Sequence, residues 1–332
     1  MNNNLQIHTP EGFRDIYNGE MKKKRKLMTS LMDVFDSYQY EEIETPAVEY
    51  FDVFGRDIGT TPSRELYKFF DRDGNTMVLR PDFTPSVARA VAMHFRPEDM
   101  PLRLCYEGQT YVNSQEYRLN LKEMTQMGVE LIGDGSAEAD AEVLAIICDL
   151  LKAAGLTEFQ VSVGEVDYFK SLAGHSGLDA ETLERVRSLI SNKNFFGVGE
   201  LLEGERIHES VKKALTEMPQ MFGGREILRK AEELAVGVEA KDAIERLREI
   251  DVLLTKRGYG NYISYDFGLL SRYQYYTGII FSAFTYGTGE PVAKGGRYDR
   301  LLSHFGTDAP AVGVGLYIDP LMNAMSRQGI NL

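Results

Sequence analysis

Gly258-Tyr259-Gly260-Asn261-Tyr262-Ile263-Ser264-Tyr265-Asp266-Phe267 is the stretch at which the chain changes texture. Before it, from about Tyr168 to Arg257, Glu, Lys, Arg, Leu and Ala dominate, as in Ala180 to Ile190 and Ala240 to Leu254, a composition that favours helix. After it Tyr273, Tyr275, Tyr276, Phe281, Phe284 and Tyr286 follow in quick succession, residues suited to a pleated, half-buried surface. The segment up to about Leu151 is also strand-bearing, with Met77 to Leu79 and Leu102 to Tyr106 separated by turn signals such as Asp73-Gly74-Asn75. Strands that resume after a helical block either found a second sheet or rejoin the first, and only rejoining gives both ends one core. The expectation is therefore a single α+β unit over 1–332, an antiparallel sheet flanked by helices, with a helical insertion at 168–257. Ser136 to Ala154 is expected as a helix stopped by Gly155, and Phe159 to Val163 as a strand.

Composition narrows the function classes. The 332 residues are 43% apolar and 26% charged, an ordinary globular balance. No apolar run reaches the roughly 20 residues that span a bilayer, and Met1 to Gln6 is polar, so the expectation is a cytoplasmic protein without a membrane role. Cys105 and Cys148 are too few for a disulfide framework and lack metal spacing, and they read as buried reduced thiols. His8, His94, His175, His208 and His304 are scattered without the close pairing of a helical zinc site, so no metal is expected. Against 50 acidic residues there are 37 basic ones, net −13, which repels phosphate backbones. The run Lys22 to Lys26 could be an anion patch, but Leu27, Leu31, Val34, Phe35 and Tyr38 follow at helical spacing and make it the solvated start of an amphipathic helix.

Four segments concentrate unusual polar chemistry: Leu79-Arg80-Pro81-Asp82-Phe83-Thr84, Thr125-Gln126-Met127-Gly128-Val129-Glu130, Tyr275-Tyr276-Thr277-Gly278 and Gly295-Gly296-Arg297-Tyr298-Asp299. If they converge, carboxylates can hold an ammonium, and a phenol beside a carboxylate can hold a ring nitrogen that donates. Singly each is weak. Asp82 after proline could be a turn or cap, and paired tyrosines on a strand face opposite sides. Val312-Gly313-Val314-Gly315-Leu316 resembles part of a dinucleotide fingerprint but lacks the third glycine and the acidic residue, and reads as a tightly packed strand.

These segments, in this order and over nearly the whole chain, resemble histidyl-tRNA synthetase, a class II synthetase. Thr9 to Asp15 is similar to that family's opening, Tyr40 to Pro46 to its first motif at the dimer interface, Leu79 to Thr84 to its Leu-Arg-Pro-Glu-x-Thr with Asp82 for glutamate, and Tyr106 to Glu130 to its second motif. The resemblance implies that Asp82, Thr84 and Gln126 hold a histidine α-ammonium, and that Glu130 and Tyr276, beside Tyr275, hold the imidazole.

Three positions depart from the synthetase pattern. Where the second motif carries Phe-Arg-x-Glu this chain reads Tyr111-Val112-Asn113-Ser114, the arginine preceding the paired tyrosines falls on Ser271 with Arg272 displaced by one residue, and the third-motif arginine falls on Pro320. Removing one preorganised contact to a reacting group raises a barrier by about 2.7 to 4 kcal/mol, so adenylate formation should be abolished. Only Leu321 to Leu332 follow the third motif where the synthetase carries its anticodon-binding domain, which argues against tRNA as a partner. A histidine site without an ATP site is similar to the regulatory subunits of ATP phosphoribosyltransferase, the first enzyme of histidine biosynthesis. That likeness implies a non-catalytic homodimer core that joins the short-form catalytic subunit in a hetero-oligomer, needs no cofactor, and lets L-histidine feed back on the enzyme. The rival readings are an amino acid-activating ligase and a module that regulates some other enzyme.

Overall fold

The protein is seen here as a computed structural model, described over residues 8–55, 61–113, 121–270 and 275–331. Helix α1 (Asn18–Ser37) buries Leu27, Leu31 and Phe35 along one stripe. Lys22, Lys23, Arg25 and Lys26 are exposed as a solvated helix start should be, but Lys24 is buried on that stripe's side. Strands β1 (Glu41–Glu42), β2 (Val48–Tyr50), β3 (Lys68–Phe70) and β4 (Thr76–Leu79) lead to helix α2 (Thr84–His94), where Pro85 sits early enough that its missing N–H costs nothing. The long strands β5 (Leu102–Tyr111) and β6 (Glu123–Ile132) pair antiparallel over ten residues each. Helix α3 (Ala137–Ala153) starts at Ser136, whose hydroxyl accepts from Ala139 N at 3.3 Å, and its Ala, Leu and Ile residues are almost entirely buried.

After β7 (Phe159–Glu165) come six helices: α4 (Val166–Ser176), α5 (Ala180–Ser191), α6 (Phe195–Glu203), α7 (Glu209–Glu217), α8 (Glu226–Leu234) and α9 (Val238–Lys256). Gly177 closes α4 at φ 70°, a left-handed cap that a side chain would strain. Two-residue β8 (Phe222–Gly223) lies between α7 and α8, and the chain returns through β9 (Ile263–Asp266), β10 (Ile279–Thr285), β11 (Ala293–Arg297), β12 (Ala311–Tyr317) and helix α10 (Ile318–Arg327).

Nine strands form one sheet in the order β1-β5-β6-β12-β11-β10-β7-β9-β8, so the strands after the helical block do rejoin those before it. The sheet is not uniformly antiparallel: β1 runs parallel to β5 and β9 parallel to β7, because each arrives by way of a helix-bearing connection. A separate three-stranded sheet, β2-β4-β3, stands apart from it. No helix among the described residues is long and apolar enough to cross a membrane.

Period-two alternation sorts the central strands. Met127, Val129 and Leu131 of β6 and Val312, Val314 and Leu316 of β12 face the main core with α1 and α3. Their neighbours Gln126, Gly128, Glu130, Gly313 and Gly315 face the opposite side, where α2 covers a smaller apolar cluster around Phe83, Tyr106, Tyr275 and Tyr298. Val312 to Leu316 is thus the tightly packed strand its composition suggests. Both cysteines are free and buried, and burial pushes each thiol up to about 12.

Candidate functional site

On that second face lies a cavity of about 1050 Å³ lined by residues from all four polar segments: Asp82 and Thr84, Gln126, Tyr275 and Tyr276, and Gly295, Gly296 and Tyr298. Its floor is built of glycine because the polar side chains lie directly over the backbone. A Cβ on Gly313 would fall 1.7 Å from Glu130 Oε2, one on Gly315 2.2 Å from Gln126 Nε2, and one on Gly296 2.7 Å from the Tyr276 ring. Packing, and not phosphate binding, explains these glycines.

Glu130 is wholly enclosed behind Thr84 and Tyr298. Thr84 Oγ1 donates to Glu130 Oε1 at 2.7 Å, the Tyr298 hydroxyl donates to Oε2, and Tyr106 OH lies 3.5 Å from Oε1. Burial raises the carboxyl to about 8 despite these donors, and nearby Asp82 adds to the rise. Asp82 Oδ1 takes the N–H of its own neighbour Phe83 at 2.8 Å, the turn-type role open to it, and also the Gln126 amide at 3.3 Å. Burial raises its pKa too. Tyr275 and Tyr276 do not point to opposite sides: they lie ahead of β10 and outside any strand, and their ring centroids are 4.4 Å apart. Strand alternation does not govern a turn.

The sites where phosphate-binding cations are expected to be missing are distinct in fate. Val112 is buried and lines the cavity with Thr110 and Met124. Pro320 is buried in the first turn of α10. Ser271 and Arg272, like Ser114, lie outside the described residues. Two buried arginines in the polar segments are committed elsewhere. Arg80 donates to the carbonyls of Thr45 at 2.6 Å and Gln109 at 2.9 Å and stacks on Phe83. Arg297 ion-pairs with Asp140 at 2.7 Å and Asp299 at 3.0 Å. Arg64 and Arg187 at the cavity wall pair with Glu65 and Glu184.

Sequence reasoning missed Tyr298, Tyr106 and Lys24 as site-building residues. Tyr298 stood inside a quoted segment, yet nothing in one dimension showed that it would reach Glu130, 168 positions away. Lys24 hydrogen-bonds Thr125, beside Gln126, and sits 3.8 Å from Asp319, whose other oxygen accepts Thr125 N at 2.8 Å. A lysine on the apolar stripe of α1 was the available signal. Arg297 is the brace of the site: Thr277 N donates to its carbonyl at 2.9 Å, Asp299 N donates to Thr277 Oγ1 at 2.9 Å, and the two segments are locked together.

Residues 12–321 match the family model described as histidyl-tRNA synthetase. The ATP phosphoribosyltransferase regulatory subunit of Acetivibrio thermocellus is 39% identical over 98% of this chain and 78% of its own length. A solved ATP phosphoribosyltransferase regulatory subunit/histidyl-tRNA synthetase from Bacillus halodurans superposes with a TM-score of 0.88 at 34% identity, covering 96% of this chain and 83% of that one. A histidine–tRNA ligase subunit from Alicyclobacillus acidocaldarius gives 0.82 at 27% identity, with 97% and 98% covered. With its two-faced sheet, its glycine-floored cavity and relatives of this kind along almost its full length, the chain belongs to the histidyl-tRNA synthetase family, in the branch of the ATP phosphoribosyltransferase regulatory subunits.

Proposed function

We propose that this chain is the non-catalytic regulatory subunit of ATP phosphoribosyltransferase, that it assembles with a separate short catalytic subunit, and that its cavity binds L-histidine as the feedback signal. The carrying observation is the contrast within one cavity: Asp82, Thr84, Gln126 and Tyr276 line it with Glu130 hydrogen-bonded just behind Thr84, while a buried valine, Val112, lines the wall where the synthetase resemblance puts a phosphate-gripping arginine. In this reading Asp82 and Gln126 receive the α-ammonium with Thr84, and Glu130 with Tyr276 receives the ring. A valine offers phosphate neither charge nor a donor, so the amino acid is bound and not activated.

A ligand can regulate only by different affinity for two states of an assembly, so the partner is part of the proposal. Self-pairing into a dimer is supported by the small sheet, where Val48, Tyr50 and Phe70 remain exposed. Size-exclusion chromatography of a mixture with the short catalytic subunit tests the assembly: co-elution as a larger species is expected, and separate elution at micromolar concentrations would refute it.

A further inference from the structure

Asp82 lines the cavity and Glu130 lies just behind its wall, and among the described residues neither carboxylate is paired with a cation. Asp82 and Glu130 are joined by polar contacts, from Asp82 Oδ1 to Gln126 Nε2 at 3.3 Å, from that nitrogen to Tyr106 OH at 3.3 Å, and from Tyr106 OH to Glu130 Oε1 at 3.5 Å. The groups facing Glu130 are Thr84 at the start of α2, Tyr106 on β5, Tyr298 just beyond β11 and Gly313 on β12, with Asp82 and Tyr276 as the further titratable neighbours. Among the described residues no lysine, arginine or histidine hydrogen-bonds or ion-pairs with either carboxylate, Arg80 and Arg297 being engaged elsewhere.

Two neighbouring carboxylates, Glu130 fully buried and Asp82 half-buried, oppose each other's ionisation, and the raised pKa of Glu130 agrees with that geometry. The state of Glu130 also sets what the cavity presents. Ionised, it holds the Thr84 and Tyr298 hydroxyls as donors, so both can turn only lone pairs outward, and with Asp82 the end becomes a set of acceptors. Such a set is satisfied by a ligand bearing N–H donors and positive charge at both ends.

We propose that this end of the cavity takes its amino acid with both the α-ammonium and the ring protonated, the α-ammonium at Asp82 and the protonated ring at the Tyr298–Glu130 pair, with Glu130 supplying the ring proton through the Tyr298 hydroxyl. The proposal rests on the histidine reading above and names the ionic form bound. In the transfer the Glu130 O–H bond breaks, Tyr298 accepts that proton and passes its own to the ring nitrogen, leaving a carboxylate and an imidazolium. Around neutrality, where Glu130 begins protonated and the free ring neutral, no net proton is exchanged with solvent. Above the Glu130 titration the proton must come from solvent, and affinity falls with rising pH by up to about tenfold per unit.

The test is titration calorimetry of L-histidine into the whole chain, in phosphate and in Tris, at about pH 7 and about pH 9. Equal heats in the two buffers at the lower pH and unequal heats showing proton uptake at the higher pH are expected. Because the ligand's own ammonium begins to titrate there, 2-fluoro-L-histidine, isosteric but with a ring that resists protonation, is run alongside. It is expected to bind at least about tenfold more weakly than histidine near neutrality. Glu130→Gln should remove the ring-linked uptake, and the wild-type comparison of the two ligands decides the matter if that variant fails to fold. Equal affinity for the two ligands, or histidine binding with no uptake at the higher pH, overturns this proposal and leaves the histidine site standing. Absence of histidine binding at either pH overturns the site, and this proposal with it.

Discussion

Gly313 lies directly beneath Glu130: a Cβ there would come within 1.7 Å of the carboxylate oxygen and 2.7 Å of the Val129 carbonyl. Neither neighbour can retreat, since Glu130 is held by Thr84 and Tyr298 and Val129 is in the β6 ladder. Gly313→Ala is therefore expected to destabilise the chain by about 1 to 3 kcal/mol or more and to abolish histidine binding. The comparison is Gly199→Ala in α6, where the nearest atom to a new Cβ is 3.9 Å away, which is expected to be neutral or slightly stabilising. Chemical denaturation and calorimetry read both; wild-type stability in Gly313→Ala would show that the floor is not packed as described.

Asp140, fully buried on α3, is bonded by Arg297 of the site and by Arg246 of α9, each at 2.7 Å. Asp140→Ala leaves the buried Arg297 without its main partner and is expected to cost about 3 to 5 kcal/mol. Arg246→Ala, with that side chain a quarter exposed, is expected to cost about 1 kcal/mol at most because solvent screens it. Replacing Asp140 and Arg297 together by Leu and Met should recover much of the loss. Equal costs for the two single variants would mean that burial does not set the worth of these pairs.

Glu165 ends β7 and caps α4, accepting Asp167 N at 3.1 Å, yet burial pushes its carboxyl up to about 8. Its folded pKa lies above the unfolded value near 4.5, so the native state holds the proton longer. The stability this group contributes is full below about pH 4.5 and is lost as pH rises through about 8. Glu165→Gln, which can still accept from Asp167, removes that dependence. The melting temperature of the variant minus that of wild type should rise steadily across that interval. A difference independent of pH would show that Glu165 titrates normally.

Histidine-dependent exchange of labelled pyrophosphate into ATP should stay at the no-enzyme blank. Val112→Arg alone should not restore it: on the synthetase resemblance Pro320 would leave a second phosphate contact unmade, and one cation does not complete a preorganised site. Exchange above the blank in the wild-type chain would revive the ligase reading.

The central strands were legible because alternation and turn signals survive in one dimension: Leu102 to Tyr106 and Phe159 to Val163 became the cores of β5 and β7. Ser136 and Gly155 bracketed α3 by cap chemistry alone. Glu41–Glu42 and Phe222–Gly223 were not legible as strands, since two residues carry no period and their pairing is imposed by the neighbouring strand. The polar segments announced themselves by composition, but their geometry did not. The sequence suggests a ligand-facing hydroxyl at Thr84, whereas in the fold it donates to Glu130 across 46 positions, a contact that only the fold creates. A run of five cations hides Lys24, the one that turns inward to Thr125.

The central claim is that this chain controls a catalytic subunit through a retained amino-acid cavity. Its most direct test is the rate of phosphoribosyl-ATP formation by the short catalytic subunit, measured alone, with this chain, and with this chain plus L-histidine. The account predicts stimulation by the chain and its reversal by histidine, with the reversal lost in Gly313→Ala if that variant still assembles. A catalytic rate unchanged by the chain, with and without histidine, would contradict it.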